Sequence, residues 1–457
     1  MTRIAGQGAD NAVDRDGYVS GILYPRRYYR ELNPAAIAFA ALQAGYLAPR
    51  LDQPFRYLDL GCAHGYSTTL FAALFPQGEF IGVDFDPAHI ASAEALRATA
   101  ELENIRFTAD SFAAMVADDT APRGDCDFIV LHGVMSWVSA AAQHDVMTII
   151  DRRLKPGGIV YVSYNCQPGW AVKMPLRELL LDVYDRTTGD TVEARLQSAV
   201  GVLRQLADTG AHYVAVNPAV AALIEMIESQ QAGYLAHEFL NRHWTAFHFR
   251  DLAAQMRGAN LSYIGAANAA DNISLLAVPA QSAALMAAAP DMVLRETLRD
   301  MALNRQFRRD LYGRALRPLS LAGLVAAWRE TTFVAALPRD DCALVIARSF
   351  GDVTLDPAIF APLLDRLAAG PAGFDELCAV ASLRDWPIAD QLQAIQILVG
   401  ADFARPLVAG AAVAADNEAV LRFNAAALAL ARAEQREQIA LALPAWSDAR
   451  VFPVTAP

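Results

Sequence analysis

The sequence predicts an α/β protein: a doubly wound parallel sheet with a helical insertion, followed by a further, mainly α unit. Three observations predict it. Five short apolar runs recur between residues 55 and 165: "FRYLDL", "EFIGVD", "IRFTAD", "CDFIVLH" and "IVYVSYN". Helical stretches separate them, at Ser67 to Phe75, Pro87 to Ala100, Ser111 to Ala117 and Gln143 to Leu154. The first run passes straight into "GCAHG", a loop with glycine at both ends. Apolar strands alternating with helices form a parallel sheet covered on both faces.

Composition narrows the classes. The chain has 457 residues, enough for two or three domains, with 54% hydrophobic and 19% charged residues. Its net charge of -12 gives nucleic acid and anionic membranes no bulk attraction. Five widely spaced cysteines without a CxxC argue against a disulfide framework or a zinc site. No signal-peptide core and no uninterrupted apolar stretch of membrane-spanning length is seen. A cytoplasmic protein without membrane insertion is expected.

Along the chain, residues 1–33 read as an N-terminal arm and 34–173 as the ligand-binding unit. "PAAIAFAALQAGYL" is a helix opened by proline. "LKPGG" closes a helix ahead of the fifth strand. Residues 174–245 are helical throughout, an insertion after a strand's carboxyl end and so over the ligand crevice. The sheet is expected to resume over 246–280, with "LSYIGA" and "NISLLAVP" as strands. Residues 281–317 read as a charged helical connector. Residues 318–457 read as a second unit with three helical patterns in winged-helix style. Over 351–410, eight acidic residues face three arginines, which opposes a DNA-binding role and favours packing or a partner.

In a doubly wound sheet, ligands sit outside the carboxyl ends of the strands. Those ends carry Asp59 to Gly65, Asp84, Asp110, His132, and Tyr164 with Asn165. Gly61 and Gly65 allow a tight turn close to a ligand. Asp84, 19 positions after Gly65, stands where a carboxylate accepts two ribose hydroxyls. Asp110 can accept from an adenine amino group, with Phe112 beside the ring. Any one of these acids alone reads as a helix N-cap, and Asp86 before Pro87 is expected to be one. No G-x-x-x-x-G-K-[ST] occurs, which excludes a P-loop. The middle glycine of G-x-G-x-x-G is missing too, so a pyrophosphate is poorly served. A cationic sulfonium joined to an adenosine is well served.

"LDLGCAHG", "GVDFDP", "TADSF" and "LKPGG" together resemble the class I, seven-strand S-adenosylmethionine-dependent methyltransferases over about 55–170. Ala63 replaces the middle glycine of that family's D-x-G-x-G-x-G. The resemblance implies S-adenosyl-L-methionine as cofactor. It implies contacts from Asp59, Gly61, Cys62, Ala63, Gly65, Asp84, Phe85, Asp110, Ser111, Phe112 and His132. "ELNPAAIAFAAL", "LHGVMSWV", "VSYNCQPGW" and "YLAHEFLNRHWTAFHF" are similar to bacterial methyltransferases with a methyltransferase regulatory domain, a group that includes outer-membrane-protein lysine methyltransferases. The implied acceptor is a protein lysine. A small molecule or glycan hydroxyl, and a non-catalytic binding module, are the alternatives.

Several residues are candidates on the acceptor side. His132 reads as a general base or as a hydrogen-bonded support for its loop. Tyr164 and Asn165 are candidates for orienting an amine, against a purely structural turn. Trp137 and Trp170 are candidate walls or core. His237 and Glu238 lie in "HEFLNRHW"; a zinc reading of H-E-x-x-H fails because position 241 is Asn. Tyr28 and Tyr29, in "YPRRYYREL", are expected either to close over the site or to lie on the surface.

Overall fold

The computed structural model describes residues 26–454 apart from 119, 190, 231 and 415, and without the side chains of 232–234 and 237. Most of the proposed arm, 1–33, therefore lies outside the described residues.

A proline-opened helix, α1 (Pro34–Gln43), precedes β1 (Phe55–Leu60). Alternation follows: α2 (Tyr66–Leu74), β2 (Gly78–Val83), α3 (Pro87–Thr99), β3 (Ile105–Thr108), α4 (Phe112–Ala117), β4 (Cys126–Leu131), α5 (Ala140–Arg153) and β5 (Leu154–Asn165). β1, β2, β4 and most of β5 are buried on both faces, which is why they read as continuous apolar runs, whereas β3 at the sheet edge exposes Arg106. β5 starts at Leu154, inside "LKPGG", and reaches β4 through a register shift near Cys126.

Five helices come next: α6 (Met174–Arg186), α7 (Val192–Asp208), α8 (His212–Ala215), α9 (Pro218–Ser229) and α10 (Ala232–Phe239). They share a core of their own, with Leu180, Leu203, Ile224 and Phe239 at its centre. The chain then returns through α11 (Phe249–Gly258), β6 (Ser262–Ala266), α12 (Ser274–Ala277), α13 (Ala280–Ala287), α14 (Met292–Leu303) and β7 (Phe307–Gly313). The sheet has seven strands in the order β3-β2-β1-β4-β5-β7-β6, with β7 antiparallel to both neighbours.

Two expectations need correction here. "NISLLAVP" is not a strand: Ile273, Leu276 and Ala277 are buried while Ser274 and Leu275 are exposed, the spacing of a helical turn. The seventh strand lies instead inside the supposed helical connector, at "FRRDLYG". Its charges conceal it. Arg308 and Asp310 are 2% and 1% exposed, and they are buried because they are neutralised. Arg308 donates to Asp310 (2.9 Å), to Asp300 (2.6 Å) and to Glu296 (3.0 Å), the last two on α14.

Beyond 318 lie α15 (Leu321–Arg329), β8 (Thr332–Ala335), the hairpin β9 (Val345–Arg348) and β10 (Gly351–Thr354), α16 (Pro357–Ala368), β11 (Ala372–Gly373), α17 (Phe374–Cys378), α18 (Ile388–Gly400) and β12 (Ala404–Leu407). α16 to α18 have the winged-helix order, flanked by the small sheet β11-β8-β12. α18 packs on the sheet domain: Gly400 abuts Ile273, Leu276 and Ala270. α19 (Glu418–Ala433) and the hairpin β13 (Gln438–Leu443) and β14 (Asp448–Pro453) close the chain against α2 and α3. Among the described residues no helix is long and apolar enough to cross a membrane.

Replacing Arg308 by Met leaves three buried carboxylates facing one another. A loss of about 3–5 kcal/mol is expected, measured by urea denaturation. A loss below about 1 kcal/mol would mean that the cluster does not hold β7 to α14.

Candidate active site

The loop after β1 forms the floor of a crevice. Gly61, Ala63 and Gly65 all have positive φ, at 82°, 47° and 60°. A Cβ on Gly61 would lie 2.6 Å from Val134, and one on Gly65 would collide with the Phe107 ring. Both glycines are therefore required by packing as well as by conformation. Ala63 takes the left-handed conformation at a cost. Asp84 holds it there by accepting the Ala63 N–H at 2.9 Å. The other Asp84 oxygen accepts the Asp86 N–H at 3.0 Å and lies 3.2 Å from His89 Nδ1. Asp86 caps α3 by accepting the Ala88 N–H at 2.8 Å, so its expected capping role is observed.

Asp59 is 3% exposed and accepts the Thr68 hydroxyl. Burial pushes its carboxyl up to about 7; the Thr68 bond opposes this and the Asp84 charge adds to it. Above that floor lies a cavity of about 270 Å³. Asp59, Gly61, Cys62, Ala63, Asp84, Phe85 and Phe112 line its donor side. His132, Trp137, Asn165, Glu238 and Tyr29 line it as well, so most of the residues singled out in the sequence meet at one cavity.

His132 sits among aromatic rings. Its Nδ1 lies 2.8 Å from the Tyr161 hydroxyl, and the Tyr29 ring packs on it at 4.0 Å. Burial, with Arg309 nearby, takes its pKa down to about 3, so it is neutral at physiological pH. Asn165 is 5% exposed, and its amide nitrogen has no partner among the described residues. Glu238, from α10, is the carboxyl that the helical insertion brings to the cavity. Burial raises it to about 7, against the pull of Arg177 and Arg27.

Other candidates lie elsewhere. Tyr164 is fully buried and donates to Asp310 at 2.6 Å, because alternation along β5 turns it away from Asn165. Trp170 packs edge-on against Trp244 at 4.7 Å beneath the helical insertion. Tyr28 donates to Asp448 in the C-terminal unit. Asp110 is exposed off the cavity, and Ser111 caps α4 by accepting the Ala114 N–H at 3.2 Å. Gly65 supports the floor without lining it. The His237 side chain lies outside the described residues. Sequence reasoning did not single out Arg26, Arg27, His64, His89 or Phe307, all of which line the cavity. Arg26 and Arg27 lie in "YPRRYYREL", whose cluster of aromatics and arginines is the signal that points to them. Phe307 opens β7, whose charged sequence conceals the strand.

A family model described as a methyltransferase domain matches residues 51–245, and one described as a predicted methyltransferase regulatory domain matches 231–314. The second match takes in β6 and β7. The uncharacterized protein sll1526 of Synechocystis is 32% identical over 393 residues, covering 86% of this chain and 77% of its own. A trans-aconitate 2-methyltransferase of Methylobacterium radiotolerans is 33% identical over 144 residues, 31% of this chain and 47% of its own. PKMT2 from Rickettsia typhi, solved in complex with AdoHcy, superposes with a TM-score of 0.69 at 21% identity, covering 94% of this chain and 86% of that one. It shares the fold.

Seven strands in this order around a glycine-turned, acid-floored crevice define an S-adenosylmethionine-dependent methyltransferase. Within that class, the chain belongs to the family in which the methyltransferase domain is joined to a methyltransferase regulatory domain. The lining fits a cationic, adenosine-bearing cofactor: it carries the carboxylates of Asp59 and Asp84, and the Asn165 amide nitrogen on it has no partner among the described residues.

Asp59 ionises at a cost in the folded protein, whose pKa of about 7 lies well above the ordinary value. The penalty grows as pH rises from the ordinary carboxylate range to about 7. Asp59→Asn is therefore expected to gain stability over the parent between pH 5 and 8, by roughly 2 kcal/mol in ligand-free protein. Melting curves read it; a gap that does not change with pH would put Asp59 back in the ordinary range.

Proposed function

We propose that the chain methylates lysine side chains of a protein substrate, with Glu238 taking the proton from the ammonium. The observation that carries this reading is Glu238 itself: a carboxyl raised to about 7 by desolvation, lining the same cavity as Trp137 and Asn165. A base poised near neutrality suits an amine that must lose a proton before it is methylated. Bound S-adenosylmethionine supplies an activated methyl group, so positioning and deprotonation are what remain for the protein. Asn165 orients the amine. Trp137, Tyr29 and Phe307 enclose it, and aromatic faces favour methylated ammonium groups. On the donor side, Asp84 holds the ribose hydroxyls, Asp59 faces the methionine amino group, and Phe85 and Phe112 flank the adenine. The sequence resemblance to outer-membrane-protein lysine methyltransferases supports the same acceptor.

Hydroxyl methylation with His132 as base is the weaker reading. A histidine taken down to about 3 accepts a proton poorly at neutral pH.

Transfer from tritium-labelled cofactor to protein, glycan and small-molecule fractions of the source cell tests the acceptor. Label recovered as methyl-lysine after acid hydrolysis is expected; label confined to the other fractions overturns the proposal. Because Glu238 acts ionised, kcat/KM should rise with pH through about 7 and then level. Glu238→Gln should lower it by about a hundredfold and flatten the profile. An unchanged profile would remove Glu238 from the chemistry. Asp84→Ala should weaken cofactor binding by about 1–3 kcal/mol by calorimetry, and equal affinity in a folded variant would mean the ribose lies elsewhere.

A further inference from the structure

The cavity has a wall that comes from neither the sheet nor the helical insertion. Arg26, Arg27, Tyr29 and Leu32 belong to the segment ahead of α1. That segment meets the sheet domain through the Tyr29 N–H, which donates to Ser67 at 3.0 Å, the Leu32 carbonyl, which accepts from Tyr57 at 2.8 Å, and Glu31, which pairs with Arg309 at 2.5 Å. Its side chains Arg26, Tyr28, Arg30 and Asn33 turn to the far end of the chain.

Asp448, the first residue of β14, is the centre of these contacts. It is 4% exposed. It accepts the Tyr28 hydroxyl and the Asn33 amide (3.3 Å), and pairs with Arg30 at 2.8 Å. The preceding Ser447 is buried in a left-handed conformation, φ 48°, and its carbonyl accepts the Asn33 amide at 2.8 Å. A non-glycine residue held this way shows that the surroundings overdetermine the turn. Arg26 adds a bond to Glu434 at 2.8 Å, and Arg436 donates to the Arg26 carbonyl at 2.6 Å. The C-terminal unit also reaches the cavity rim independently, since Tyr66 donates to the Ala440 carbonyl.

We infer that Asp448 is a positioning residue for the methyl-donor pocket: through Tyr28, Arg30 and Asn33 it sets the segment that carries Arg26, Arg27, Tyr29 and Leu32 onto the cavity. Tyr28 and Tyr29 are neighbours, so anchoring one ring on Asp448 places the other on His132. The C-terminal unit thereby completes a pocket whose floor belongs to the sheet. α18 docks on the sheet domain at a separate place, beside Ile273 and Leu276.

The full-length protein tests this with three variants. Asp448→Asn removes the charge, and Tyr28→Phe removes one hydroxyl with little risk to folding. Arg450→Ala, in the same hairpin but without contact to the segment, is the control. Both Asp448→Asn and Tyr28→Phe should raise the KM for S-adenosylmethionine, by about tenfold for the first, while kcat at saturating cofactor stays within about twofold. Arg450→Ala should leave both constants unchanged. A lower melting temperature with an unchanged KM in both variants would make Asp448 a fold-stabilising residue only and overturn the inference. A KM that rises equally in the control would do the same.

Discussion

The floor of the donor pocket rests on one carboxylate. Asp84 directly follows β2, and its side chain accepts the N–H of Ala63 in the neighbouring loop and that of Asp86 at the start of α3. It holds an alanine in a conformation that glycine normally supplies, and it fixes two strand ends relative to each other. The left-handed turn at Ala63 brings the loop back toward α2, and Gly65 then fits against Phe107. Without that bond the loop would have reason to relax, since Ala63 pays for its φ with no other hydrogen bond to its own N–H among the described residues.

Charge plays opposite roles on the two halves of the sheet. Around β1 and β2, acids are buried without full compensation, and Asp59 rises toward neutrality as a result. Such unbalanced charge suits a site that receives a cation. Around β7 the acids are compensated by Arg308, Arg305 and Arg299, and the cluster locks the antiparallel strand to α14. The first is poised for a ligand, whereas the second sets register. Glu238 belongs with the first group. Arg177 and Arg27 pull its carboxyl down, yet desolvation raises it all the same.

Much was legible in the sequence because burial on both faces leaves an unbroken apolar run, and because a tight turn near a ligand needs glycine. That covers β1, β2, β4 and β5, the motif loop and the acids at the first two strand ends; β3, at the sheet edge, showed through its place in the alternation of strand and helix. Where the reading failed, local pattern and tertiary context disagreed. "FRRDLYG" looks solvent-exposed until the carboxylates of α14 are brought to it. "NISLLAVP" is apolar enough for a strand, but its buried residues follow a helical spacing. Tyr164 and Asn165 are adjacent at the same strand end, and pleating sends only Asn165 to the cavity.

The sequence by itself determined the doubly wound class, the donor loop and the kind of ligand it receives. Each of these depends on residue types at short separations: glycines for positive φ, acids at strand ends, and alternating strand and helix. Only the tertiary structure decided what surrounds the ligand. Glu238 reaches the cavity from α10, Phe307 from β7, and the Arg26–Leu32 segment because Asp448, over four hundred residues away, holds it there. Such contacts join residues distant in the chain through buried charge, and no periodicity or spacing encodes which carboxylate will meet which arginine.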